Sequence, residues 1–120
     1  MTDEKERESA DLIHPTAIID PRADIGKGVK IGPYAVIGPN VKIGDGTEIM
    51  SHVVIDGWTT IGKDCRFFPS ASIGSEPQDL KFNGEKSYVI IGDRSVFREF
   101  VTVSRATGEG EETRIGNDCL

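Results

Sequence analysis

Isoleucine stands at Ile13, Ile19, Ile25, Ile31, Ile37, Ile43, Ile49, Ile55 and Ile61, a strict period of six with no exception. Four residues after each lead comes a small or slim side chain: Ala17, Ala23, Val29, Ala35, Val41, Thr47, Val53, Thr59 and Cys65. Glycine often follows the lead directly, as at Gly26, Gly32, Gly38, Gly44 and Gly62. An α-helix would carry this pattern around its surface and an ordinary strand would place it with a period of two, so neither explains a period of six. Short fixed repeats indicate a parallel β-solenoid, in which each repeat supplies one short strand and one turn and buries its apolar residue only by stacking on neighbours. Three hexads make a triangular coil: the lead fills the prism and the small residue two places before the next lead leaves room at the corner. Glycine after the lead is expected to serve a corner that needs backbone freedom or positive φ. An isoleucine-rich β-sandwich would reach nine equally spaced leads only by coincidence.

Met1 to Leu12 carries five acids and two bases with no apolar face, and reads as a flexible lead-in. The hexads run from Ile13 through Phe67 to Ser72, where phenylalanine replaces the lead, and another opens at Ile73-Gly74. The next leads would fall on Asp79 and Glu85, which cannot fill a dry core unpaired, so Ser75 to about Tyr88 is expected to be a loop pushed out from the shaft. The rhythm returns at Ile91 and continues at Phe97, with Val101 inward, and at Val103, with Thr107 inward. A second loop is expected at 109–114 before Ile115 to Leu120. Positions 13–120, less about twelve residues for the first loop and six for the second, leave five coils of eighteen. The expected class is all-β, a solenoid over 13–120 that stops mid-pattern on Leu120 without a C-terminal cap, so the chain reads as the N-terminal part of something longer.

A length of 120 residues bounds the chain to one domain. The net charge of −6 speaks against nucleic-acid or anionic-membrane partners. No apolar run approaches a membrane span and the N-terminus is polar rather than signal-like, so the expected compartment is the cytoplasm. Cys65 and Cys119 both fall on the inward, small-residue position. They lie two coils apart, roughly 9 to 10 Å at about 4.7–4.9 Å per coil. A disulfide needs Cα atoms within about 7 Å, so both are expected to be buried, reduced thiols.

Binding residues concentrate on loops held by a rigid scaffold. The 75–88 loop combines an amide (Gln78), a carboxylate (Asp79), a cation (Lys81) and aromatics (Phe82, Tyr88), whereas the 109–114 loop is acidic and reads as solvated. No phosphate-cradling glycine pattern, nucleophile elbow or metal-binding cysteine pair is present. Of the two histidines, His14 reads as a capping side chain at the start of the shaft, and His52 should face outward, where it could line a groove against another subunit. Two histidines cannot supply the three ligands of a zinc hydrase site.

Several stretches together give the chain a specific likeness: Ile13-His14-Pro15-Thr16-Ala17-Ile18, Ser51-His52-Val53-Val54, Ile73-Gly74 through Gln78-Asp79-Leu80-Lys81, and Ile91-Gly92-Asp93 with Arg98-Glu99 and Val101-Thr102. Over residues 12–120 it resembles the acyl-carrier-protein:UDP-N-acetylglucosamine O-acyltransferases of lipid A synthesis, a family of hexapeptide-repeat acyltransferases. The resemblance implies a single-stranded left-handed parallel β-helix, against the usual right-handed crossover, a homotrimer with sites in the clefts between neighbours, and no cofactor or metal. It implies transfer of a 3-hydroxyacyl chain from acyl carrier protein to the 3-hydroxyl of UDP-N-acetylglucosamine. Gln78 and Asp79 would then touch the acyl donor and the sugar, Lys81 would receive the carrier protein, and His52, Ser104 and Arg105 would line the cleft. The family's base is a histidine one coil beyond Leu120, so no catalytic residue is expected in this chain and turnover by it alone is not. Ser104 departs from the histidine or asparagine usual in the family. The alternatives are the sister N-acyltransferase, which carries a uridine-binding domain ahead of its hexads, and a non-catalytic solenoid that binds or scaffolds.

Overall fold

The computed structural model describes residues 12–76 and 84–120. Every named element in them is a short strand, and the strands stack into three parallel sheets that form the sides of a prism. The first coils supply β1 (Ile18–Ile19), β2 (Asp24–Ile25), β3 (Lys30–Ile31), β4 (Val36–Ile37), β5 (Val41–Ile43), β6 (Glu48–Ile49) and β7 (Val54–Ile55). The later ones supply β8 (Trp58–Ile61), β9 (Arg66–Phe67), β10 (Ser72–Ser75), β11 (Tyr88–Ile91), β12 (Val96–Phe97), β13 (Thr102–Ser104) and β14 (Glu112–Ile115). One side is ordered β1-β4-β7-β10-β13, the second β2-β5-β8-β11-β14 and the third β3-β6-β9-β12.

Each strand pairs with the one a full turn away. Ile37 aligns with Ile55, Ile43 with Ile61 and Lys30 with Glu48, a register of eighteen residues. The backbone bonds that close the shaft follow the same rule, as in Gly38 N–H to the Ile55 carbonyl (2.9 Å) and Gly44 N–H to the Ile61 carbonyl (2.8 Å). Where the register lengthens, the excess measures the insertion. Ile61 aligns with Ile91, twelve residues over the turn, and Ile91 with Ile115, six over.

The leads from Ile31 to Ile61 are buried, with Phe67, Ile73, Ile91 and Phe97 continuing the column, and the small-residue positions Val29, Ala35, Val41, Val53 and Ala71 join them. Full burial of such a side chain contributes about 1.5–3 kcal/mol, so the stacked leads dominate stability. Phe67 and Phe97 lie parallel, ring centroids 4.8 Å apart. Polar residues at inward positions find partners inside the wall. The Thr47 hydroxyl donates to the Gly62 carbonyl (2.9 Å) and accepts from the Cys65 N–H (3.2 Å), and the Ser95 hydroxyl donates to the Gly116 carbonyl (2.8 Å). Burial pushes the Cys65 thiol above its ordinary range.

Three expectations need correction. Gly26, Gly32, Gly38, Gly44 and Gly62 do not have positive φ; away from the insertions and their roots, the left-handed residues come three places after the lead at two of the three corners. Those positions hold Gly28 and Gly46 but also Tyr34, His52, Asp64, Ser70, Arg94, Phe100 and Asp118. The glycine after the lead serves close approach instead: a Cβ on Gly44 would stand 2.6 Å from the Gly62 carbonyl carbon, and one on Gly26 would stand 2.5 Å from Asp45 Oδ1. That aspartate earns its place by accepting the Lys27 N–H (2.9 Å), as Asp93 accepts that of Lys63 (2.8 Å) and Asn117 that of Asp93 (2.7 Å).

Second, the loop expected at 109–114 ends earlier. Glu112, Thr113 and Arg114 belong to β14 and pair along its whole length with β11. The connection therefore occupies 105–111, and Thr113 fills the position opposite Val89, its hydroxyl donating to the Ser104 carbonyl (3.0 Å). A four-residue ladder outweighs continuation of the hexad that begins at Val103. Third, Cys65 is buried but Cys119 is exposed, because no coil stacks over it. Phe97, Val101, Val103, Ile115, Cys119 and Leu120 line a hollow of about 300 Å³ at that open end.

The two kinds of glycine give contrasting mutants. Gly44→Ala, which drives a methyl into the backbone of the next coil, is expected to cost about 3 kcal/mol, the upper end for overpacking. Gly28→Ala, left-handed but with open space around it, is expected to cost about 1–2 kcal/mol from its backbone alone. Urea unfolding of the two variants checks the order, and equal losses would refute the close-approach account.

Candidate active site at the roots of the insertion

Gln78, Asp79 and Lys81, together with Phe82, lie outside the described residues. What the structure places is the pair of roots from which their segment springs. The outgoing root is β10, which ends at Ser75, and the returning root is β11, which begins at Tyr88. Between them run residues 76–87, matching the twelve-residue excess in register.

At the outgoing root Gly74 is left-handed (φ 82°) and makes a bulge between Ile73 and Ser75. A side chain there would run into the Asp56 carbonyl and the Thr59 hydroxyl, so only glycine is accommodated. Thr59 is itself fixed, its hydroxyl donating to the Asp56 carbonyl (2.7 Å). The next coil closes the bulge from above. The Arg105 N–H donates to the Ser75 carbonyl (2.9 Å), and its guanidinium donates to the Gly74 carbonyl (3.3 Å) while lying 5.4 Å from the centre of the Trp58 ring. Gly57 leaves the room this requires, since a Cβ there would come within 2.7 Å of Arg105 Cδ.

At the returning root the buried Ser87 hydroxyl donates to the Ala106 carbonyl. The Lys86 N–H donates to Glu109 Oε2 (2.7 Å), the Lys86 carbonyl accepts from the Gly110 N–H (2.8 Å), and the Tyr88 N–H donates to the Glu111 carbonyl (2.9 Å). Tyr88 stands in register with Trp58, both half-buried, and the Lys86 ammonium lies 5.4 Å from the Trp58 ring and 5.8 Å from that of Tyr88. Trp58 thus carries one cation from the returning root and one from the coil that closes the outgoing root, an arrangement favoured by the negative face of the ring.

The sequence reading named Arg105, Ser104 and Tyr88 but passed over Trp58, Lys86 and Ser87. A signal was available: Trp58 and Tyr88 each stand three places before a lead, on the same outward column of successive coils. His52 is exposed as expected, its ring 5.2 Å from that of Tyr34, but it turns the corner before β7, whereas Ser104 ends β13 and Arg105 follows it at the far edge of the same sheet. The structure does not bring them together. The left-handed φ of His52 is shared by Tyr34, Ser70 and Phe100 at the same corner, so it marks the architecture rather than a site. His14 makes a local turn, its Nδ1 accepting the Thr16 N–H (3.2 Å).

Chemically the roots offer directed N–H donors, two cations and an aromatic platform, with neither histidine nearby. Among the described residues no group of three His, Cys, Asp or Glu is gathered as a metal site. No helix among them is long and apolar enough to cross a membrane. A hollow of about 510 Å³ lies elsewhere, on the first coils, lined by Leu12, Lys30, Pro33, Glu48 and Met50.

Comparison with known proteins sharpens this. The family model described as the GMPPB C-terminal domain matches residues 13–77. An acyl-[acyl-carrier-protein]–UDP-N-acetylglucosamine O-acyltransferase of Chlamydia caviae is 53% identical over 108 residues, covering 90% of this chain and 39% of that protein. The protein of the same name from Xanthomonas euvesicatoria is 52% identical over 113 residues, covering 93% and 43%. Among solved structures, LpxA from Acinetobacter baumannii superposes with a TM-score of 0.86 at 48% identity, over 89% of this chain and 42% of its own. LpxA from Bacteroides fragilis, a UDP-N-acetylglucosamine acyltransferase, gives 0.83 at 46%, over 87% and 41%. The chain therefore spans about two fifths of the length of these relatives. It belongs to the family of the GMPPB C-terminal domain model, shares the left-handed parallel β-helix of its structural neighbours, and groups by sequence with the acyl-[acyl-carrier-protein]–UDP-N-acetylglucosamine O-acyltransferases.

Proposed function

We propose that this chain is part of an acyltransferase that moves a 3-hydroxyacyl chain from acyl carrier protein to the 3-hydroxyl of UDP-N-acetylglucosamine, the first step of lipid A biosynthesis, in the cytoplasm. The observation that carries the reading is the 53% identity sustained over 108 of its 120 residues with an O-acyltransferase of that name. In such a transfer a base takes the proton of the sugar hydroxyl, the oxygen attacks the thioester carbon, and donors stabilise the oxyanion until the carrier's thiolate leaves and is protonated. Gln78 and Asp79 contact donor and sugar, and Lys81 meets the acidic carrier. The base is a histidine beyond Leu120, so the 120-residue chain binds substrates without turning them over. No cofactor or metal takes part.

The active unit is a homotrimer. What supports this is the outer face of the β1-β4-β7 side, where Ile18 (67% exposed), Val36 and Val54 form an apolar stripe beside the exposed Tyr34 at the corner. A shaft whose core is already closed has no internal use for that stripe, and contiguous exposed apolar surface marks an interaction site. His52 lies at its border and would face a neighbouring subunit.

Calorimetric titration of the chain with a 3-hydroxyacyl-pantetheine thioester is expected to show binding that Gln78→Ala weakens about tenfold, the scale of one lost hydrogen bond to a buried ligand. No acyl transfer to UDP-N-acetylglucosamine should accompany it. Transfer at the rate of a complete enzyme would refute the placement of the base beyond Leu120, and binding indifferent to Gln78 would refute the substrate contact. Sedimentation should give a trimer that Val54→Lys converts to monomer, and a wild-type monomer at micromolar concentration would remove the subunit-cleft part of the proposal.

A further inference from the structure

We infer that Arg105 is a positioning residue, the keystone of a brace that holds both roots of the 76–87 insertion and so sets where its substrate-facing residues stand. The inference rests on the substrate role proposed for Gln78. Its own warrant is the geometry of the segment 105–111, which touches the insertion at both ends. Arg105 binds the outgoing root through two donors, its N–H to the Ser75 carbonyl and its guanidinium to the Gly74 carbonyl. One residue later the Ala106 carbonyl accepts the Ser87 hydroxyl at the returning root.

The arrangement is built rather than incidental. Gly57 and Gly74 are both left-handed and both lie where any side chain would strike the clamp or the wall behind it. The Trp58 ring backs the guanidinium, which restricts its rotamers and reduces the entropy lost in reaching the Gly74 carbonyl. A displacement of about 1 Å at a reacting centre can cost about a hundredfold in rate, so fixed roots bear on catalysis. The six-residue excess between β11 and β14 has a task on this view: it supplies the length needed to cross from one root to the other.

Amide hydrogen exchange and thioester binding on the full chain test this together. Arg105→Ala, which removes the guanidinium bond and keeps the backbone one, is expected to speed exchange at residues 74–76 about tenfold while leaving the amides of β3 to β7 unchanged, which separates local release from unfolding. Ser87→Ala, a smaller change that severs the other root, should speed exchange at 84–88. Arg105→Ala should also weaken thioester binding about fivefold, and that loss should vanish in a Gln78→Ala background, because the arginine acts only through the insertion. Unchanged exchange at both roots would overturn the brace. Faster exchange with undiminished binding, or an equal Arg105 effect with and without Gln78, would overturn the positioning role. If Gln78→Ala alone leaves binding intact, the substrate assignment falls, and the exchange data still decide whether Arg105 holds the roots.

Discussion

The structure depends on one repeated bond: a backbone N–H on one coil donating to the carbonyl of the residue just before the one stacked over it, at about 4.8 Å per layer. Gly26 to Ile43, Gly44 to Ile61 and Gly62 to Ile91 are successive instances on one side. This spacing is too short to admit a side chain between layers at the corners, and it obliges inward side chains to repeat in columns. The isoleucine period, the glycine after the lead and the aspartate after that glycine are three consequences of one distance. The corner three places past the lead pays in backbone strain, about 1–2 kcal/mol for each left-handed residue with a Cβ. It is held there by bonds such as Asp64 N–H to the Asp45 carbonyl and Arg94 N–H to the Lys63 carbonyl.

The same constraint explains where the functional segment can arise. A coil can gain residues only at a corner, and it must return in register or the columns fail. The insertion after Ser75 returns at Tyr88 so that Val89 and Ile91 resume the columns of Thr59 and Ile61. Its roots are thereby fixed to the shaft, and the cations that flank Trp58 come from the two segments that depart from the hexad rhythm. A rigid wall with irregular segments at one edge separates stability from recognition, since the columns carry the first and the edge is free to vary.

Much of this was readable in the chain. The parallel solenoid, its coil length, its lead and small-residue columns and the two insertions follow from the spacing of isoleucine, because a buried side chain leaves a periodic trace. The corner geometry did not follow, since Tyr34, His52 and Phe100 adopt left-handed φ without any glycine to announce it. Nor did the start of β14, because Glu112-Thr113-Arg114 has no aliphatic lead and is placed by its partner strand. The site divides similarly. Arg105 was named through family likeness, but its bonds to Gly74 and Ser75 cross thirty residues of sequence, and the role of Trp58 depends on a register that composition does not reveal. Cys119 shows the converse error: its place in the pattern is right, but burial needs a neighbour as well as a pattern.

The central claim is the eighteen-residue parallel register, and backbone nuclear Overhauser contacts in the isotopically labelled chain test it most directly. The account expects interstrand contacts linking Val36 with Val54, Lys42 with Thr60 and Glu48 with Arg66, each between strands running the same way. Contacts of antiparallel pattern, or between residues six or twelve apart in place of eighteen, would contradict it.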